Sequence, residues 1–163
     1  MTPYITAAKI VLFIYLCITM SKKQFTPIPP MAEMPPAEEI DVAEILRKYL
    51  SGEIDLICVL GPTASGKTRY AVQLARRINV LLEASRVEII SADSRQVYRG
   101  MDIGTGKDLN EYEEIPYHLM DIVDAGTKYN IFEYQRDFER AYKDIRDKGG
   151  IPILCGGSGL YIE

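Results

Sequence analysis

The sequence predicts an α/β protein, a parallel sheet flanked by helices, on three observations. Short apolar runs alternate with segments whose apolar residues recur at helical spacing. A glycine-rich octapeptide stands between the first clear strand and the helix after it. The composition, 47% hydrophobic and 26% charged over 163 residues, is that of one globular domain and excludes collagenous, disordered and multi-span membrane classes. A net charge of −4 argues against a bulk basic nucleic-acid binder.

The stretch Ile10 to Met20 is apolar but only eleven residues long, too short to span a bilayer, and no small-x-small cleavage site follows. No stable membrane association is expected. Pro27, Pro29, Pro30, Pro35 and Pro36 then make an extended linker. Residues 1–37 are therefore expected to lie outside the fold, as a disordered extension or as the product of a start placed upstream of Met20. The α/β unit is expected over 38–163.

An amphipathic helix through Val42, Ile45, Leu46 and Tyr49 should end at Ser51-Gly52. Leu56 to Leu60 reads as a buried strand, followed by a helix carrying Tyr70, Val72, Leu74, Ala75 and Ile78. Val87 to Ile90, Tyr117 to Val123 and Ile151 to Cys155 read as three more strands. Between the last two, Ile131, Tyr134, Phe138, Ala141 and Ile145 mark one helix face, closed by Gly149-Gly150. Such alternation implies a parallel sheet with right-handed crossovers.

Cys17, Cys58 and Cys155 are widely spaced and form no CxxC pair, so neither a disulfide framework nor a zinc site is indicated. Cys58 and Cys155 read as buried thiols of a reducing, cytoplasmic compartment. The single histidine, His118, reads as a packed or hydrogen-bonded residue. The tyrosines read as half-buried packing.

Gly61, Pro62, Thr63, Ala64, Ser65, Gly66, Lys67 and Thr68 satisfy GxxxxGK[ST] between strand and helix, which makes the fold P-loop NTPase-like. The glycines let successive amides face one anion, the helix N-terminus adds a positive dipole end, Lys67 adds charge, and the Thr68 hydroxyl suits Mg2+. A nucleotide triphosphate and an isoprenoid diphosphate present similar oxygens to such a loop. Asp93, just past the second strand, should face it, because ligands of open α/β sheets sit beyond the carboxyl ends of the strands. Its alternative is a helix N-cap. From Gly61 to Lys107 eight basic residues stand against four acidic ones, a locally basic rim.

Four blocks, GPTASGKT (61–68), SADSRQVYRGMDIGTGK (91–107), PYHLMDIVD (116–124) and PILCGGSGLYI (152–162), resemble the tRNA dimethylallyltransferases. The resemblance implies transfer of a dimethylallyl group from its diphosphate to the exocyclic amine of the adenosine 3′ of the anticodon in tRNA. It assigns Asp93 as the group that takes the amine proton, and it assigns Asp93, Ser94, Arg95, Gln96 and Ser158 to tRNA contact. Mg2+ at Thr68 would assist the leaving diphosphate. Members of the family continue well beyond GGSGLY, so the chain is expected to be a truncated, N-terminal part that transfers poorly or not at all by itself. A monomer is expected. Two other readings share the loop: a small-molecule or nucleotide kinase using ATP, and a non-catalytic phosphate- or RNA-binding remnant.

Overall fold

Asp41 accepts hydrogen bonds from the N–H groups of Ala43 (3.0 Å) and Glu44 (3.1 Å), pairing two donors that a helix start otherwise leaves open. The helix that follows, α1 (Val42–Leu50), buries Ile45, Leu46 and Tyr49 and ends at Ser51, as the apolar spacing predicts. The computed structural model describes residues 13–15, 40–62, 64–107, 109–158 and 161.

The sheet comprises β1 (Phe13–Tyr15), β2 (Ile57–Leu60), β3 (Val87–Ala92), β4 (Tyr117–His118) and β5 (Ile151–Gly156). Its order is β1-β2-β5-β3-β4, and every neighbouring pair runs parallel. Helix α2 (Lys67–Leu82) joins β2 to β3, and α3 (Ile131–Asp147) joins β4 to β5. These two crossovers travel across the sheet in opposite directions, so right-handed connections place their helices on opposite faces.

Side-chain alternation along the strands shows those faces. Ile57, Val59, Val87, Ile89, Ile151, Ile153 and Cys155 pack with α1 and α2, around Ile45, Leu46, Ala71, Leu74 and Ile78. Cys58, Leu60, Ile90, Ala92 and Leu154 pack against Tyr134, Ala141 and Ile145 of α3. All four β2 residues and all six β5 residues are buried, as expected of strands covered on both sides. Helix α3 starts on a capping box: Asn130 accepts from Phe132 and Glu133, and the Glu133 carboxylate accepts from the Asn130 N–H at 2.7 Å.

Two elements differ from the sequence reading. Three residues of the stretch expected outside the fold join it: Phe13, Ile14 and Tyr15 pair in parallel with Cys58, Val59 and Leu60. An apolar, β-forming run there covers the edge that β2 would otherwise present. The strand expected over Tyr117 to Val123 ends after two residues, because Leu119 (φ 62°) and Asp121 (φ 53°) turn the chain out of the ladder. The N–H groups of Ile122 and Val123 then donate to Val97 O at 2.9 and 3.1 Å, and Arg99 N–H donates to Val123 O at 2.8 Å. An apolar run predicts burial but not the direction of the backbone that achieves it.

Candidate active site

The carboxyl ends of β2, β3 and β5 meet closely, and glycine makes the meeting possible. A Cβ on Gly156 would stand 2.3 Å from Ala92 O, and one on Gly157 would stand 2.3 Å from Gly61 O. Backbone bonds hold the three ends together: Gly61 N–H donates to Gly156 O and Ser158 N–H to Ala92 O, each at 3.2 Å. The phosphate loop, the turn bearing Asp93 and the Gly157-Ser158 segment thus open on one edge of the sheet.

Within the loop, Ala64 (φ 63°) and Gly66 (φ 80°) both take the left-handed conformation, and Gly66 caps α2 without any side-chain bond to its first amides. Those donors are left for a ligand. Lys67 is buried, 8% exposed, and its ammonium donates a long hydrogen bond to Pro62 O at 3.3 Å. Among the described residues, the buried Ser65 Oγ has no hydrogen-bond partner. A buried ammonium and a hydroxyl unpaired among the described residues suit an anion with several oxygens. Thr63 lies outside the described residues; Gly61 and Pro62 form the approach to the loop.

A cavity of 530 Å³ opens over this loop, lined by Ala64, Gly66, Lys67, Thr68, Asp93, Gln96, Glu111, Asp102 and the segment Gly104 to Lys107. The Thr68 side chain lies beside the Tyr112 phenol and the Cys155 thiol. Burial pushes that thiol up to about 12, against the pull of the Lys67 charge, so it stays neutral and unreactive near pH 7. Burial likewise raises Tyr112, which remains a neutral phenol.

Asp93 starts no helix. Its Oδ1 accepts from Arg95 N–H at 2.9 Å in a tight turn, and the residue borders both the large cavity and a neighbouring one of 240 Å³. Ser94, Arg95, Ser158, Gly104, Thr105 and Gly157 complete the smaller cavity. Ser158 Oγ accepts from Ser94 N–H at 3.0 Å, which joins two of the residues assigned to tRNA contact. Gln96 sits apart from them. It is 5% exposed, its Oε1 accepts from Ser91 Oγ at 2.8 Å and its Nε2 donates to Gly106 O at 3.1 Å. Its amide is engaged inside the protein.

The basic rim is smaller than the residue count suggests. Arg76 pairs with Glu113 and Glu114, Arg99 with Asp124, and Lys107 with Asp102 and Asp121. Asp121 and Asp124 are accordingly ion-pair partners. His118 Nε2 meets Glu88 Oε2 at 2.5 Å, a structural contact. The glycine-rich segment Gly104 to Lys107 joins the site without a role assigned to it by the sequence; its G-x-G pattern at 104–106 is the signal that marks it. Tyr134 donates to Ser91 O at 3.1 Å and stacks on Tyr161 with centroids 3.9 Å apart, supporting the same strand end from α3. Among the described residues no group of three or more His, Cys, Asp or Glu could hold a metal, and no helix is long and apolar enough to cross a membrane.

Comparison with known proteins places this geometry. The IPP transferase family matches residues 96–163. The tRNA dimethylallyltransferase 2 of Bacteroides fragilis is 61% identical over 115 residues, which cover 68% of this chain and 35% of that protein. The tRNA dimethylallyltransferase 1 of Geotalea daltonii is 60% identical over 109 residues, covering 67% and 33%. Among solved structures, the full-length tRNA isopentenylpyrophosphate transferase of Bacillus halodurans superposes with a TM-score of 0.59 at 42% identity, over 66% of this chain and 33% of that one. A eukaryotic dimethylallyltransferase acting on tRNA gives 0.59 at 36% identity, over 66% and 25%. The chain spans about a third of the length of the curated relatives it matches.

Proposed function

Because this chain belongs to the tRNA dimethylallyltransferase family, we propose that it serves the transfer of a dimethylallyl group from its diphosphate to the exocyclic amine of the adenosine 3′ of the anticodon in tRNA. The observation that carries this reading is one cavity bordered by both the anion-seeking loop and the Asp93 carboxylate. The loop amides, Lys67 and Ser65 Oγ bind the diphosphate. As the allylic carbon–oxygen bond breaks, the electron pair leaves with the pyrophosphate, and these donors stabilise the added charge. The amine nitrogen bonds to the carbon and gives its proton to Asp93. The smaller cavity, with Ser94, Arg95 and Ser158 on its walls, is where the extruded adenine is received.

Mg2+ fits the donor set. It favours oxygen ligands, takes few from the protein and shares phosphate oxygens, so the single Thr68 hydroxyl suffices and no cluster of acidic side chains is required. When bound it would neutralise charge on the diphosphate. The buried thiols Cys58 and Cys155 support a cytoplasmic setting. A monomer is part of the same reading.

Titration calorimetry with Mg2+ present tests the ligand. Dimethylallyl diphosphate should bind, compete with inorganic pyrophosphate and lose at least about tenfold in affinity in Lys67→Ala. A preference for ATP over dimethylallyl diphosphate would overturn the proposal in favour of a kinase.

A further inference from the structure

A lysine with no exposed side-chain surface stands behind the candidate site. Lys107 is 0% exposed along its side chain and ends in three acceptors: Asp121 Oδ1 at 2.6 Å, Tyr98 O at 2.7 Å and Asp102 Oδ1 at 3.0 Å. An ammonium has three protons, and each is used. Burial works against its charge, but the two carboxylates outweigh burial and hold it protonated beyond the ordinary lysine range.

The three acceptors belong to three segments around the cavity. Tyr98 follows the turn that carries Asp93, Asp102 lies on the glycine-rich rim, and Asp121 sits where the chain leaves β4 in the left-handed conformation at φ 53°. Bonds continue from Asp121. Asp121 N–H donates to Gln96 O at 3.0 Å, Gln96 N–H to Asp93 O at 3.2 Å, and Gln96 Nε2 to Gly106 O at 3.1 Å. The path from the Lys107 ammonium to the Asp93 backbone therefore passes through Asp121 and Gln96 alone.

We propose that Lys107 is a positioning residue: by binding Tyr98, Asp102 and Asp121 it locks the 93–98 turn, and with it the Asp93 carboxylate, against the glycine-rich rim over the phosphate loop. It touches no reacting atom. A like-sized substitution that removes the charge leaves Asp121 without its cation and frees the left-handed turn to relax, so Gln96 and then Asp93 lose their fixed place. The phosphate loop is anchored separately, through Gly156 and Gly157. Diphosphate binding should thus survive a change that misplaces Asp93. The consequence for turnover rests on the reading of Asp93 as proton acceptor; the consequence for local order does not.

The experiment compares the full chain with Lys107→Met and Asp121→Asn. Amide hydrogen exchange is followed by mass spectrometry, pyrophosphate affinity by calorimetry, and prenylation of unmodified tRNA by nucleoside mass analysis. In Lys107→Met, exchange over 94–106 and 119–123 should rise at least about tenfold while β2, β3 and β5 stay protected, because the opening is local. Pyrophosphate affinity should change by less than about threefold, and kcat should fall about 100-fold with KM for the diphosphate nearly constant. Asp121→Asn, which keeps an acceptor, should fall in between. Unchanged exchange in those segments, or a rise spread evenly through the sheet, overturns the proposal, as does a loss borne by KM alone. If exchange responds as stated but the unaltered chain prefers ATP to dimethylallyl diphosphate, the lock stands and the transfer reading fails.

Discussion

Gly157→Ala probes the close approach on which the site depends. A Cβ at this position would stand 2.3 Å from Gly61 O, 3.4 Å from Gly61 C and 3.9 Å from Lys67 Cε. Carbon and carbonyl oxygen ordinarily rest at about 3.3 Å or more, so the first residue of the phosphate loop must retreat by about 1 Å. The obstacle is backbone, and no side chain can swing aside to absorb it. Overpacking of this kind costs about 1–3 kcal/mol of stability. A shift of that size also takes loop amides out of line with an anion. Losing one charge-assisted hydrogen bond, about 1.5–3 kcal/mol, weakens pyrophosphate affinity by roughly 10- to 100-fold. Calorimetric titration with pyrophosphate and Mg2+, paired with thermal unfolding, reads both effects. Gly52→Ala is the control. At φ 73° it strains a left-handed turn, but its Cβ meets nothing within 4 Å, so it should lower stability and leave affinity alone. Pyrophosphate binding by Gly157→Ala at the unaltered affinity would refute the claim that this contact sets the loop.

Tyr134→Phe removes the hydrogen bond to Ser91 O and should cost about 1 kcal/mol in urea unfolding, with the Tyr161 stack retained. Burial pushes the Cys58 and Cys155 thiols up to about 12, so in a Cys17→Ser chain neither should react with a disulfide reagent at pH 8 until the protein unfolds. Linkage gives the same thiols a direction with pH. The unfolded thiols ionise near about 8.5 and the folded ones near about 12, so the unfolded state binds fewer protons between those values. The stability these groups contribute is complete below the lower value and declines as pH rises toward the upper one, which pH-dependent urea unfolding will measure. Replacing both cysteines by alanine should flatten that decline.

The phosphate loop and the helices were legible because their signals are local. GPTASGKT needs only its own glycines and its place between strand and helix, and the apolar spacing of α1 and α3 is written within each segment. Asp93 was legible for a topological reason, its place after a strand end. What escaped depends on contacts between distant segments. Lys107 read as rim charge because its partner Asp121 lies fourteen positions on and reaches it through a left-handed turn that residue types such as Leu119 do not announce. Gln96 read as a surface contact, yet Ser91 and Gly106 draw it inside. The end of β4 after His118 followed the same turn, and β1 depended on an edge of β2 that one segment's pattern does not display. Gly156 and Gly157 appeared in a recognisable block, but their necessity rests on Ala92 and Gly61, far away in the chain.

Asp93→Asn tests the central claim most directly. The full chain, unaltered and substituted, is incubated at length with unmodified tRNA, dimethylallyl diphosphate and Mg2+, and the digested nucleosides are weighed, so that even slow transfer is seen. Whatever adenosine heavier by one dimethylallyl unit the unaltered chain yields, Asp93→Asn should yield at least about 100-fold less while binding pyrophosphate within about twofold of the original affinity. Equal product from both chains, or a preference of the unaltered chain for ATP over dimethylallyl diphosphate, would contradict the account.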